Sequence, residues 1–564
     1  MRRQLAPSDP RPGAAPTSRS TPLTSPTRLL DPRPVAAVAV RLGDLAALVE
    51  GSHRLSRSAA DTVVSGLTLA SADVRAGDLY AALPGKHTHG VRYAPAAVQA
   101  GAAAVLTDEV GAAELGAPPD STTAERPTLA QVPVVVADDP RALLGDVAAE
   151  VYGRPAERLL MIGVTGTQGK TTVTYLMEAA LRVAGRTPGL VGTTGSLADG
   201  QRIASRLTTP EAPDLHALLA VMREQGVSAC AMEVSSHALV QGRVDGVVFD
   251  VAVFLNLGRD HLDFHGDVDS YFAAKAQLFT PQRTVRAVID VGDAWGRRLA
   301  AETAQRGLPH TTCTASPDIH EPAADWTVAE VSVRSDGSDF VIVGPAGQRQ
   351  AVRLLLPGSF NVRNALAAVA ALVEAGLPLT QVAAGIGRAS GLPGRMELVD
   401  EGQDFSAIVD YAHKPDAVEA VLVALRPATA GRLLVVLGAG GDRDPGKRPL
   451  MGAIAARRSD VLVVTDDNPR TEDPAAIRSQ LLAGVDTTEP HAELVEEPDR
   501  AVAIRRAVSM ARAGDTVLVA GKGHETGQEV AGVVHPFDDR QVLRVMVRAR
   551  LDQERPPSTP AVGP

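Results

Sequence analysis

Cysteine is nearly missing: Cys230 and Cys313 are the only two in 564 residues. That excludes a disulfide framework and a cysteine-ligated metal centre, and it suits a reducing cytoplasm. Aromatic residues make up only 3%. Since 45% of the chain is hydrophobic, its cores must be built from Ala, Val and Leu. A basic excess is also lacking. The formal charge of −10 argues against a nucleic-acid partner, whose phosphates require clustered Lys and Arg. No apolar run reaches the ~18 residues that could cross a bilayer. The first 37 residues carry many Pro, Arg, Ser and Thr but no apolar stretch of a secretory signal, so they read as a disordered tail. Residues 551–564, with Pro-Pro and Gly-Pro, read the same way.

What is present is enough for several cores. At roughly 150 residues per domain the chain supports about three. Residues 38–157 alternate short apolar runs, such as Ala103 to Leu106 and Val132 to Val136, with Ala-rich helical patterns, which suggests a small α/β domain. Residues 158–390 carry strands at 159–164, 229–234 and 251–255 whose near-continuous apolar character fits a parallel sheet. Ser390 to Gly394 then punctuates the chain. Residues 391–550 follow with strands at 407–409, 433–437, 461–464 and 516–519, a doubly wound third domain.

The most specific segment is Gly163-Val-Thr-Gly-Thr-Gln-Gly-Lys-Thr-Thr172, directly after the apolar run Leu159 to Ile162. A strand feeds a glycine-rich phosphate cradle and a helix opens behind it. The glycines let backbone N–H groups approach polyphosphate, Lys170 neutralises charge, and the Thr171 hydroxyl can ligate Mg²⁺. The spacing is a shorter G-T-x-G-K-T variant of the common loop. Behind it Val173, Leu176, Met177, Ala180 and Leu181 repeat at helical spacing.

Ligands of open parallel sheets gather beyond the carboxyl ends of strands, so polar clusters there are candidates. Glu233-Val-Ser-Ser-His237 follows one strand, and Asn256 to Asp263, with Asp260 and His261, follows another. Glu233 and His261 facing the phosphate loop would supply hard-cation ligands beside Thr171. Lys275 shares a helical face with Tyr271 and Leu278, and on these residues alone reads as a snorkelling structural lysine. In the third domain Asp410-Tyr-Ala-His413, Gly438 to Asp444 with Lys447 and Arg448, Asp467-Asn-Pro-Arg470 and Gly521-Lys-Gly-His-Glu525 all follow apolar strands. That mixture of arginines and acids suits a zwitterion.

Taken in order, these segments, together with Leu356 to Asn364 and Pro393 to Glu397, resemble the Mur ligases of peptidoglycan precursor synthesis over roughly residues 60–545, most closely the tripeptide synthetase type. The resemblance implies a three-domain α/β architecture: a small N-terminal UDP-binding domain, a central P-loop-type parallel-sheet ATPase domain and a C-terminal Rossmann-like domain. It implies a cytoplasmic, monomeric ligase using ATP and Mg²⁺ to join 2,6-diaminopimelate to UDP-N-acetylmuramoyl-L-alanyl-D-glutamate. Carried over by motif, Gly166, Thr167, Gln168, Gly169, Lys170, Thr171, Thr172, Asn361, Arg395 and Asp410 would bind ATP. Leu69, Ser71, Lys86, His87 and Thr88 would contact the uridine nucleotide, and Thr208, Thr209, Ser235, Gln241 and Arg243 the muramoyl-dipeptide. Lys275 matches the lysine the family carries as a carbamate, which would make it a magnesium ligand with Thr171, Glu233 and His261. Lys170, Glu233, His261 and Lys275 would be the catalytic set. Arg443, Asp467, Asn468, Pro469, Arg470, Gly521 and Glu525 would bind diaminopimelate. Gln168 stands where the family has Asn, and Ala70 and Ala72 depart from its first-domain motif. Two related ligases, a lysine-adding one and one of the folylpolyglutamate type, and a non-catalytic nucleotide switch, remain as alternatives.

Overall fold

The computed structural model describes residues 29–36, 38–48, 57–85, 87–116, 132–205, 207–315, 324–334, 337–389, 392–485 and 492–554. Lys86 and the expected break at 390–391 lie outside them, as do residues 1–28 and 555–564 of the expected tails. Among the described residues three large sheets carry the fold, beside two two-stranded ribbons.

The first has four parallel strands, Gly66–Thr68, Asp78–Ala81, Ala104–Thr107 and Val134–Val136, in chain order. Its core residues Leu67, Leu79, Leu106 and Leu144 pack with Ala212, Ala217 and Ala220 of the next domain, so small side chains let the two units approach closely. The middle sheet has eleven strands. At its centre Ala229–Glu233, Leu160–Thr165 and Phe249–Phe254 lie side by side and parallel, as expected of a phosphate-loop domain. Alternate residues explain why both faces are covered. Ile162 and Val164 face one core with the helices Lys170–Val183 and Ser359–Glu374, while Met161 faces another with Ala212–Glu224 and Val268–Ala276. Each fully buried Leu or Val contributes about 1.5–3 kcal/mol, so both covers are held mainly by apolar burial. The sheet is not parallel throughout: the hairpin Gly195–Ala198/Gln201–Ile203 edges one side, and Trp326–Arg334, Gly337–Val343 and Arg349–Leu354 meander antiparallel on the other.

The third sheet orders its strands Glu397–Leu398, Ser406–Asp410, Thr516–Ala520, Leu433–Leu437, Val461–Val464 and Glu493–Glu496, all parallel after the first. Its last helix runs Asp539–Glu554, four residues past the expected boundary at 550.

Residues 29–36 correct the expectation of a disordered tail over 1–37. Leu30 donates its N–H to Arg202 O at 2.9 Å and pairs with the edge strand Gln201–Ile203. Arg33 grips Asp78 with two bonds, 2.9 and 3.1 Å. The N–H groups of Val35 and Ala36 donate to Glu224. The segment is a strap across the first and middle domains. Its Pro- and Arg-rich composition hid this because the partners that tie it to the two domains are distant in sequence.

Candidate active site

The phosphate loop is shaped by backbone that only glycine adopts readily. Gly169 has φ +87°, and a Cβ there would meet Asn364 Oδ1 at 2.4 Å. Asn256 braces the loop, accepting from Gln168 N–H at 3.0 Å and donating to Gln168 O at 3.1 Å. Lys170 donates to Gly166 O at 2.7 Å and Thr167 O at 3.2 Å. Burial pushes its amine down to about 8, against the pull of Glu233.

Glu233, buried at the end of its strand, receives three donors. They are the Thr171 hydroxyl at 2.9 Å, the Thr193 N–H at 2.9 Å and the Thr193 hydroxyl at 3.0 Å. A hydroxyl and a carboxylate are hard oxygen donors of the type magnesium takes. Among the described residues no cluster of three or more His, Cys, Asp or Glu could hold a metal by itself. The donor set therefore fits an ion completed by phosphate oxygens, the usual arrangement for Mg²⁺.

Lys275 is 1% exposed, not snorkelling as its residues alone suggested. Its amine donates to Gly166 O at 3.1 Å and lies 4.5 Å from the Tyr271 ring centroid. Burial, then the neighbouring Lys170, hold it well below the ordinary lysine range. His261 lines the same cleft, its Nε2 3.0 Å from Asp260 Oδ2. Desolvation, reinforced by Lys414 and His237 against Asp260, pushes the ring down to about 4, so it is neutral and able to ligate.

Lys170, Thr171, Glu233 and His261 line a cleft of about 570 Å³ between the middle and third domains, with Lys275 buried behind the phosphate loop. Asn361 and Asn364 line it from one side and Arg395 and Asp410 from the other. Asn361 donates to Pro357 O at 2.8 Å, and Asn364 to Asn361 Oδ1 at 3.3 Å. Arg395 lies over the Tyr411 ring at 4.4 Å, and Asp410 accepts the N–H groups of Met396 and Ala412, both at 2.8 Å. Thr208 and Ser235 also line the cleft. Thr209 donates to Glu233 O at 2.8 Å, and Arg243 donates to Thr209 O at 3.3 Å while pairing with Glu211 at 2.8 Å. Gln241 caps the short helix Ser236–Val240 beside them. Leu69, Ser71, His87 and Thr88 are on the first domain, outside both clefts.

A second cleft, about 760 Å³, is lined by Asn468, Arg470 and Glu525. Asn468 donates Nδ2 to Glu525 Oε2 at 2.8 Å, and the buried Lys522 donates to Asn468 Oδ1 at 2.9 Å. That pins the amide's orientation. Arg470, in the left-handed region at φ +52°, donates to Gly441 O at 2.6 Å and lies 3.3 Å from Glu529. Asp467 and Gly521 stand just behind: a Cβ on Gly521 would touch Asp467 Oδ2 at 2.7 Å. Pro469 fixes the turn, its carbonyl 1.9 Å from where a Gly441 Cβ would stand. Arg443 is the exception. It is exposed on its loop and outside the cleft. Arg448, singled out with it, is a buried structural residue that forks onto Glu472 at 2.8 Å twice.

Sequence reading missed Thr193, Thr194, Arg202, Ser205 and Arg540, all of which line the second cleft, and named His524 there only as part of its motif. Thr193 and Thr194 follow the apolar strand Pro188–Gly192, so the strand-end rule would have found them. Arg202 and Ser205 come from the unforeseen edge hairpin and the turn after it, and no local signal marks them.

Three family models match the chain in order. They are "Mur ligase family, catalytic domain" at residues 63–152, "Mur ligase middle domain" at 164–372 and "Mur ligase, glutamate ligase domain" at 394–523. A relative from Streptomyces coelicolor named UDP-N-acetylmuramoyl-L-alanyl-D-glutamate--2,6-diaminopimelate ligase is 52% identical over 521 residues, covering 92% of this chain and 98% of its own. A solved structure of an enzyme with that same name is 31% identical, with a TM-score of 0.63 over 91% of this chain and 100% of that one. Folylpolyglutamate synthase of Mycobacterium tuberculosis, solved with ADP and AMPPCP, shares the fold at 19% identity and a TM-score of 0.56, over 74% of this chain and 96% of its own.

Proposed function

This chain belongs to the Mur ligase family, and we propose that it is the ATP-dependent carbon–nitrogen ligase that adds 2,6-diaminopimelate to the D-glutamyl γ-carboxylate of UDP-N-acetylmuramoyl-L-alanyl-D-glutamate. Relatives carrying that name span nearly its whole length. Its substrates are small molecules, and its setting is the cytoplasm, where ATP and sugar-nucleotide precursors meet. No helix among the described residues is long and apolar enough to cross a membrane.

The carboxylate attacks the γ-phosphorus of ATP: a carboxyl O–P bond forms, the β–γ bridge breaks, and ADP departs from an acyl phosphate. The amine of diaminopimelate then attacks the acyl carbon, inorganic phosphate leaves, and the nitrogen gives its proton to solvent. Because phosphoryl transfer demands positioning and charge neutralisation, the chain's contribution is geometric and electrostatic. Lys170 and the loop N–H groups hold the polyphosphate. Thr171 and Glu233 would hold a magnesium ion, with His261 and the Lys275 carbamate holding a second; such ions neutralise developing phosphate charge. Thr208, Thr209, Ser235, Gln241 and Arg243 orient the dipeptide arm. Asn361, Asn364, Arg395 and Asp410 seat the adenosine, while Leu69, Ser71, Lys86, His87 and Thr88 hold the uridine end. The acyl phosphate is unstable in water, and the cleft between the middle and third domains shields it.

The choice of amine rests on Glu525, Asn468 and Arg470 lining one cleft. The carboxylate of Glu525 suits the ammonium. Arg470, held by Gly441 O and Glu529, is preorganised for a distal carboxylate. A lysine substrate ends in an ammonium and offers Arg470 nothing. Products from a panel of amino acids, identified by mass, test this. Arg470→Ala should lower kcat/KM for diaminopimelate by about 100-fold, the worth of one charged hydrogen bond. Equal turnover of lysine and diaminopimelate by the unmutated enzyme would contradict the assignment.

A further inference from the structure

The roles above take every phosphate-binding cation of the cleft from the middle domain. We propose that Lys414, on the third domain, is a further phosphate-binding residue, which leaves Asp260 for polyphosphate oxygens when nucleotide enters the cleft. This deepens the ligase reading and rests on it.

Lys414 comes directly after Asp410-Tyr-Ala-His413 and before the helix Pro415–Leu425. A residue ahead of proline is driven to extended backbone, and Lys414 has φ −132° and ψ 152°. That conformation sends its side chain away from its own helix and across the domain boundary. Its ammonium pairs there with Asp260, which follows the middle-domain strand Phe249–Phe254. Both partners line or border the cleft that holds the phosphate loop, Glu233 and His261.

The pair sits among groups of both signs. Lys170, Arg395 and Lys414 all line the cleft. The acids facing them are Asp416, on the helix that follows Lys414, and three already held in place: Glu233 by two threonines, Asp410 by two backbone N–H groups, Asp290 by Arg363. Asp260 itself is shared between Lys414 and His261. Glu233 and Asp260 support the charge of Lys170, while Lys414 and Arg395 repel it. A polyanion relieves that repulsion. The pair is also exchangeable, because Lys414 is 21% and Asp260 13% exposed, and lysine is a compact charge on a flexible stem. Lys414 rides on the same domain as Asn468 and Glu525. A phosphate contact from it therefore couples carboxylate activation to the docking of the domain that holds the amine.

A simple interdomain latch makes a different prediction, because breaking either partner would then have one effect. The test uses the full-length enzyme with Lys414→Met, Lys414→Arg and Asp260→Asn. Binding of AMPPCP with Mg²⁺ is measured by calorimetry, alongside KM for ATP and for the UDP-linked dipeptide. Lys414→Met should weaken AMPPCP roughly 10- to 100-fold and raise KM for ATP in step, leaving KM for the dipeptide unchanged. Lys414→Arg should keep most of the affinity. Asp260→Asn should bind AMPPCP as well as the unmutated enzyme or better, because it frees the lysine. Wild-type affinity in Lys414→Met, or equal losses in Lys414→Met and Asp260→Asn, would overturn the proposal. If Lys414→Met does not fold, Asp260→Asn decides: undiminished affinity supports exchange, and a loss of tenfold or more refutes it. Failure of the ligase reading would show separately, as no phosphate release by the unmutated enzyme with all three substrates present.

Discussion

The amines of Lys170 and Lys275 converge on a single acceptor, the carbonyl oxygen of Gly166, at 2.7 and 3.1 Å. Two full ammonium charges so close, one buried and one half-buried, would repel strongly. The less exposed surroundings of Lys275 and the cation beside it favour the neutral amine. A neutral amine adds CO₂ at nitrogen and loses a proton, giving a carbamate whose negative charge would remove the conflict with Lys170.

Activity should therefore depend on dissolved CO₂. Enzyme stripped of bicarbonate at mildly acid pH and assayed in CO₂-free buffer should lose most of its turnover and regain it when bicarbonate returns. Lys275→Ala should lower kcat by about 10²- to 10³-fold, the scale of losing one electrostatic group at a reacting centre. Added acetate should restore part of it by placing a carboxylate in the space vacated. Full activity without CO₂, and no acetate rescue, would leave Lys275 as a structural lysine.

The strap at residues 29–36 leads to a stability prediction. Arg33 and Asp78 have side chains 12% and 3% exposed and make two parallel bonds. Removing the guanidinium leaves Asp78 with the Arg75 N–H at 2.8 Å as a remaining partner. Arg33→Ala should cost about 2 kcal/mol, between the values for exposed and fully buried pairs. Asp31→Asn, which breaks the exposed pair with Arg75, should cost under about 0.5 kcal/mol. Urea unfolding of both variants measures the difference. Equal midpoints would mean that the strap lies on the surface without bearing on the fold.

The strap also shows where the sequence stops being legible. The phosphate loop, Glu233 and the four motifs of the third domain could be read because each is a short segment tied to the strand before it. Polar residues after an apolar run sit at a sheet's carboxyl edge whatever the rest of the chain does. Leu30, Arg33 and Ala36 find partners at Arg202, Asp78 and Glu224, which no local pattern connects. The snorkelling that the residues around Lys275 suggest by themselves fails for a similar reason. The periodicity of Tyr271, Lys275 and Leu278 gives a face but not what covers it, and the cover is the phosphate loop about a hundred residues earlier. Arg443 and Arg448 show the same limit from the other side. Five residues apart on one loop and helix, one points to solvent and the other is fully buried on Glu472, a distinction set by packing alone.

His216 should make folding sensitive to acid. It is 0% exposed, its Nε2 is 3.0 Å from Asp245 O, and its Nδ1 has no partner. Since a carbonyl only accepts, Nε2 carries a proton, and burial with no partner for Nδ1 keeps the ring neutral. Burial pushes its pKa from the ordinary 6.5 down to about 4. The sign follows from proton counting. Above pH 6.5 neither state binds the proton and the group contributes nothing. Between 6.5 and 4 the unfolded chain takes up a proton that the folded one refuses, so stability falls as pH falls, and below about 4 the loss levels off. The full loss is roughly 3 kcal/mol, about 2 of it reached by pH 5. His261, His413 and His524, pushed to about 4, about 3 and about 4 mainly by burial, act in the same direction, so the residue must be isolated by substitution. His216→Gln keeps an N–H donor for Asp245 O and has no proton to gain. Its stability should drop less than the unmutated protein's between pH 7.5 and 5, by about 2 kcal/mol from urea unfolding at the two pH values. The same drop in both proteins would mean that the His216 ring takes up its proton in the folded state as readily as in the unfolded chain.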